Sequence, residues 1–179
     1  MDELTVVKVG GSLFDHPALG PGLRRWLAEQ TSSRYIIVAG GGAAADVIRS
    51  YHRTHQPPES LSHWLAIRMM DINGELLRHF FADSAEVVAV SRFCTEDEDK
   101  PSALSHDWCV TSDAIAARIA EVHQAARLVV LKSVDLPESI AWEKAAERGL
   151  VDQAFGEVVT RANLKVEWIN FRSYLDGFC

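Results

Sequence analysis

The sequence predicts an α/β layered domain built on a largely parallel sheet, and three observations carry that expectation. Short runs that are apolar on both faces recur along the chain, as in strands covered by helices on both sides. Segments of helical periodicity lie between them. Two of the runs end directly in glycine loops, Gly10-Gly11-Ser12 and Gly40-Gly41-Gly42.

The first strand is expected over 4–10, where Val6, Val7 and Val9 leave no polar face and Lys8 is the exception. A lysine central in such a strand is costly unless its ammonium reaches water or meets an anion. Gly20-Pro21-Gly22 reads as loop, and Leu23, Trp26 and Leu27 as a short helix. Tyr35 to Ala39 is the second strand, followed beyond its glycines by a helix with Ala44, Val47, Ile48 and Tyr51 on one stripe and Asp46 and Arg49 off it. After Pro57-Pro58, Ser60 is placed to cap a long helix whose stripe runs Leu61, Trp64, Leu65, Met69, Ile72, Leu76 and Phe80. Gly74 inside it marks a bend or a close packing contact.

Glu86 to Val90 is the third expected strand, and the acidic run Thr95 to Pro101 reads as an exposed loop. Thr111, Ser112 and Asp113 crowd the first turn of an alanine-rich helix, where caps and carboxylates belong. Arg127 to Leu131 is the fourth strand and ends in the polar turn Lys132-Ser133-Val134-Asp135. Glu138 to Arg148 fits an amphipathic helix closed by Gly149. Residues 152–155 read as a turn or short helix, and Val166 to Phe171 as the last strand.

With 179 residues the chain suits one domain, 1–179, able to bury about 70% of its unfolded surface. A net charge of −7 argues against a general nucleic-acid or anionic-membrane surface. No apolar run is long enough to span a membrane, and Met1-Asp2-Glu3 leads straight into a strand, so the expectation is a cytoplasmic protein without a signal peptide. Cys94, Cys109 and Cys179 have no metal or redox spacing and read as reduced thiols, and the scattered histidines suggest no protein-held metal.

In parallel α/β sheets ligands gather beyond the carboxyl ends of the strands, where both glycine loops, the turn at 132–135 and the helix start near 113 should meet. Glycine loops, a lysine, a serine and a carboxylate suit phosphoryl transfer, which needs positioning and charge neutralisation. The P-loop pattern is absent. Gly40 to Ala45 scores weakly as a dinucleotide fingerprint, which leaves a nicotinamide or flavin oxidoreductase as a competing class.

Val6 to Ser12, Val38 to Gly42 and Thr111 to Ala117 occur in the order and approximate spacing of the amino acid kinase family, which the chain resembles over most of its length. Residues 45–49, 62–67 and 131–135 look most like its short branch, associated with methanofuran biosynthesis, in which an aminomethylfuran phosphate monoester becomes a diphosphate. The resemblance implies a three-layer αβα sandwich, MgATP beside a small acid, phosphate or phosphate-monoester acceptor, and a homo-oligomer meeting through the long helix. It implies Lys8 at the transferring phosphoryl group, Gly10, Gly11 and Ser12 as donors to the β- and γ-phosphates, and Asp113 orienting the lysine. Lys132, Ser133 and Asp135 would lie towards the nucleotide, and Gly40, Gly41 and Gly42 towards the acceptor. Asp46, Arg49, His63 and Arg68 are candidates for acceptor selection. Larger members carry a late Gly-Met-x-x-Lys segment that nothing after residue 150 reproduces, so Lys132 and Lys144 are the candidates for its lysine, and a non-catalytic nucleotide or metabolite sensor is the alternative function.

Overall fold

The computed structural model describes residues 3–32, 34–81 and 85–177; Cys179 and the leading Met1-Asp2 lie outside the described residues. Strands β1 (Leu4–Val9), β2 (Arg34–Ala39), β3 (Glu86–Val87), β4 (Arg127–Lys132) and β5 (Val166–Asn170) form one sheet in the order β3-β2-β1-β4-β5. Every pairing is parallel, with Lys8 opposite Val38 on one side and Val130 on the other. The doubly apolar runs are explained by helices on both faces. Val6, Val38, Leu128 and Val130 pack against α5 (Ser112–Val122) and α7 (Phe155–Arg161). Val7, Val9, Ile37 and Leu131 pack against α1 (Leu19–Ala28) and α8 (Phe171–Asp176). The result is the expected three-layer sandwich.

The expected loop at Gly20-Pro21-Gly22 is instead the first turn of α1. A proline there forfeits no hydrogen bond, because the first amides of a helix have no intrahelical partner. Gly22 leaves room for the Leu175 side chain, which a Cβ would approach to 2.2 Å.

Both long-helix stripes are corrected. On α2 (Gly42–His55), Ala45 and Ile48 face inward while Val47 and Tyr51 are exposed. On α3 (Glu59–Phe81) the buried side is Ser62, His63, Ala66, Ile67, Met70, Gly74, Leu77 and Phe81, leaving Leu61, Ile72 and Leu76 exposed. Ser60 lies inside this helix, which starts at Glu59 immediately after Pro58. Apolar residues surround α3 almost completely, so periodicity could not choose between neighbouring registers. Its first half packs with the α5 side of the core and its last turns with the α1 side, so it passes the sheet edge at β3.

The third strand is two residues long because Asp71 of α3 accepts from the amides of Val90 and Ser91, at 2.6 and 3.3 Å, and starts α4 (Val90–Asp97). The acidic run is no free loop: Asp97 is buried and accepts from Arg118 at 2.7 and 3.0 Å, a bidentate pair that ties α4 to α5. The helix expected over 138–148 is α6 (Trp142–Glu147), held back by the left-handed Ser139 (φ 56°), while Gly149 (φ 69°) closes it as expected. The last strand stops at Asn170, whose side-chain Oδ1 accepts from Ser173 N and caps α8.

Gly74 resolves as a packing contact, with Val88 O and Val87 Cγ1 beside it in an unbroken helix. A Cβ there would meet those atoms at 3.7 and 3.8 Å, ordinary van der Waals distance. Gly74→Ala should therefore raise unfolding free energy by up to about 1 kcal/mol, read by urea denaturation; a loss of stability would show that this contact tolerates no methyl group.

Candidate active site

Lys8 sits in the central strand and, by the two-residue alternation, points with Val6 towards α5. It is only 2% exposed. Its ammonium lies 2.8 Å from Asp113 Oδ1, and Lys132 Nζ donates to Asp113 Oδ2 at 2.7 Å and to the Leu150 carbonyl at 2.8 Å. The Lys8 contact is an ion pair without well-directed hydrogen-bond geometry, so Oδ1 keeps accepting capacity. Two lysines from adjacent strands thus grip one carboxylate at the start of α5.

Burial lowers the Lys8 pKa to about 8, against the pull of Asp113 and with the help of the second cation, Lys132. Burial alone would raise Asp113, yet the charges of Lys8 and Lys132, with the Lys132 hydrogen bond, hold it below the usual carboxylate range. Asp152 is pushed up by burial and by Asp113, although it accepts from Thr111 N, Thr111 Oγ1 and Ala114 N at 2.9–3.0 Å. It supplies the cap that Thr111, facing away from its own helix, does not.

The two glycine loops touch backbone to backbone. A Cβ on Gly11 would lie 2.1 Å from Gly42 N, and one on Gly42, itself at φ 53°, 2.3 Å from Gly11 O. Asn73 of α3 clamps the second loop by donating to Gly40 O and Gly41 O at 2.7 and 2.9 Å. Ser12 Oγ and Ser133 Oγ are hydrogen-bonded at 2.8 Å, joining the first loop to the turn after β4. Arg172 of α8 donates to the Ser12 carbonyl and to Asp15. The loops are immobilised from behind while the amides that begin α2 lack intrahelical partners.

A cleft of about 270 Å³ opens over these groups. Lys8, Gly10, Gly11, Ser12, Gly41, Gly42, Asp46, Arg49, His63, Asp113 and Lys132 line it. Ser133 stands beside it through Ser12. Gly40 is buried behind the wall, its carbonyl held by Asn73, and Asp135 is exposed and does not line the cleft. Arg68 is exposed and opens on a separate depression near Arg92. Lys144 is exposed and paired with Glu147, so of the candidates for the second cation only Lys132 reaches the cleft. Sequence reading missed Trp108, over which the Arg49 guanidinium stacks at 5.4 Å, as well as Asn73 and Asp152. None lies in a glycine or lysine motif. Asp152 had only its position ahead of Phe155 to mark it. Among the described residues, no group of three or more His, Cys, Asp or Glu is placed to hold a metal ion.

Removing the shared carboxylate leaves a buried cation without its partner, which typically costs about 3–5 kcal/mol. Asp113→Asn should lose unfolding free energy of that order at pH 7. Lys8 binds a proton less readily folded than unfolded, so between about pH 8 and 10.5 its contribution to stability rises with pH. Without Asp113 the folded Lys8 binds its proton still less readily, so the variant gains more stability than the wild type as pH rises, and its deficit should shrink between pH 7 and 9 in denaturant titrations. A small deficit, the same at both values, would mean that the triad holds little energy.

No family model matches the sequence. The chain is 28% identical over 150 residues to the [5-(aminomethyl)furan-3-yl]methyl phosphate kinase of Methanocaldococcus jannaschii, a match covering 73% of this chain and 66% of that protein, just under two thirds of its length. Its fold superposes on the uridylate kinase of Archaeoglobus fulgidus with a TM-score of 0.66 and 20% identity, covering 97% of this chain and 95% of the other. For the UMP kinase of Ureaplasma parvum the TM-score is 0.61 at 13% identity, over 95% and 90% of the two chains. The aspartate kinase of Synechocystis gives 0.61 at 13% identity, over 92% of this chain and 37% of the enzyme. The chain is thus similar in sequence to one curated small-molecule kinase and shares its fold with uridylate, UMP and aspartate kinases.

Proposed function

We propose that the chain is an ATP-dependent kinase that moves the γ-phosphoryl group to a small-molecule acid, phosphate or phosphate monoester. The observation that carries this reading is the meeting of Lys8, Asp113 and Lys132 beneath two fixed glycine loops. Phosphoryl transfer asks a protein for positioning and for charge placed in advance where it develops. Lys8 would hold the transferring group from the strand end, and Lys132 the bridging side. Asp113 would keep the two ammonium groups apart and aimed. Gly10, Gly11 and Ser12 would cradle the β- and γ-phosphates of MgATP, with Ser133 and Asp135 towards the nucleotide. The amides at Gly41 and Gly42 would face the acceptor, with Gly40 fixing their loop. The carboxylate best placed for a metal is already held by two lysines, so Mg²⁺ would arrive as part of the MgATP substrate.

For the acceptor, Asp46 and Arg49 form an exposed pair at 2.6 Å, weak enough to open to an anion. The relative's name makes an aminomethylfuran phosphate, as used in methanofuran-type cofactor formation, the first acceptor to try. The sensor alternative was motivated by the absent late lysine; Lys132 supplies a second cation and weakens that motive. The exposed Leu61, Ile72 and Leu76 on α3 support a homo-oligomer. Cytoplasmic ATP chemistry is consistent with the absence, among the described residues, of any helix long and apolar enough to cross a membrane.

The purified chain with MgATP should convert the aminomethylfuran phosphate, or another small phosphate or acid, to its phosphorylated product with release of ADP. Lys8→Met should cut kcat by about a thousandfold and Lys132→Met by about a hundredfold, with Lys144→Ala unchanged. A Lys8→Met enzyme of near-normal rate would sink the assignment. Because only the ammonium form of Lys8 attracts phosphate, kcat/KM for MgATP should fall as pH rises through about 8 in the free enzyme.

A further inference from the structure

Trp108 lines the cleft, yet the proposed transfer gives it no task. The Arg49 guanidinium stands over its ring, 5.4 Å from the centroid, within the range at which a cation is drawn to an aromatic face. The indole is fixed from several sides. Trp108 N donates to Glu59 Oε1 at the start of α3, at 2.9 Å. The rings of His52 and His63 lie nearly perpendicular to the indole, at 5.8 and 6.3 Å, and His52 is itself hydrogen-bonded to Ser62 Oγ at 2.8 Å. The platform thus belongs to the segment ahead of α5, and the cation it carries belongs to α2.

Three cationic side chains line the cleft, Lys8, Lys132 and Arg49. Asp113 grips the first two at the strand ends. Arg49 is held more loosely, by the exposed Asp46, which accepts from one N–H of its fork at 2.6 Å. The Arg49 side chain is 40% exposed, so an entering anion can reach the donors that Asp46 leaves over. A guanidinium fork matches the oxygens of a phosphate or carboxylate, but a long exposed side chain loses rotamer freedom when it binds one. Stacking on a fixed indole meets part of that cost in advance, because the guanidinium is already confined above the ring.

We propose that Trp108 is a positioning residue for acceptor binding: it holds the Arg49 guanidinium over the cleft, where the fork receives the anionic group of the phosphoryl acceptor. The inference rests on the kinase reading above and adds to it how the acceptor's charge is captured, by a side chain that lies outside the glycine and lysine motifs.

The test is a double-mutant cycle on Arg49 and Trp108 with [5-(aminomethyl)furan-3-yl]methyl phosphate as acceptor, read by steady-state kinetics and by calorimetry. Arg49→Ala should raise the KM and Kd of that phosphate by about tenfold or more, and Trp108→Leu by about fivefold. In the double variant the loss should stay within about twofold of Arg49→Ala alone, because the indole then has no guanidinium to hold. Trp108→Phe, which keeps an aromatic face, should recover most of the affinity. Throughout, kcat and the KM for MgATP should change by less than about threefold. Arg49→Lys leaves the indole and its packing untouched, keeps the charge and loses the planar stack, so it should weaken the phosphate nearly as much as Arg49→Ala. Losses that multiply in the double variant overturn the proposal, since Trp108 would then act on the acceptor or on the fold without Arg49. An Arg49→Lys chain of wild-type affinity, or a wild-type chain that does not bind this phosphate, overturns it as well. Turnover with an acceptor KM indifferent to Trp108 overturns it and leaves the kinase reading standing. Binding that follows the cycle, without turnover, supports it and counts against the kinase reading instead.

Discussion

Asp113 bound between Lys8 and Lys132 is the constraint on which the site depends. One carboxylate at the first turn of a helix meets cations from two adjacent strands, and this fixes the end of the central strand, the end of its neighbour and the start of α5 relative to one another. Lys8, only 2% exposed, depends on that anion to stay charged at its depth. Burial already brings Lys8 to about pH 8, and the carboxylate is what keeps the ammonium form dominant near neutrality. The triad exchanges a desolvation cost for a pair of cations held at defined positions.

Around that triad the fold supplies rigidity from behind. Asn73 holds the second glycine loop by its carbonyls, Arg172 holds the first by the Ser12 carbonyl, and Asp152 holds the three donors that begin α5. The first two constraints act on carbonyl oxygens rather than on the amides that border the cleft. The amides left towards it are therefore fixed without being consumed, as electrostatic preorganisation requires. Asp97 and Arg118 extend the arrangement by tying α4 to the body of α5, so the helix that carries Asp113 is anchored at more than its first turn.

The sequence was most informative where one physical requirement dominates. Doubly apolar runs can only be covered strands, so the sheet was legible apart from the shortened β3, whose end depends on Asp71 from a distant helix. Glycines that touch another backbone, as Gly11 and Gly42 do, also leave an unambiguous trace, and the lysine trapped between valines pointed to its own anion. Reading failed where two answers fit the same pattern. The long helix is apolar on nearly every side, and the stripe first assigned to its core includes Leu61, Ile72 and Leu76, which face outward. Charges in the 95–101 run looked solvated because Arg118, their buried partner, is contributed by a helix that local composition cannot bring near.

Lys132 shows why the choice between the two candidates for the second cation needed the folded chain. In sequence it opens the polar turn after the fourth strand, where a lysine ordinarily reaches water, and Lys144, in an expected amphipathic helix, looked an equal candidate. The parallel register decides between them. Because β4 lies directly beside β1 with Leu131 level with Val9, Lys132 falls one step beyond the first strand's end and on the side of α5, within reach of Asp113, while Lys144 pairs with Glu147 on the surface. The second cation at Asp113 is thus provided by the neighbouring strand. This requires only that β4 run one residue past the end of β1, level with Gly10.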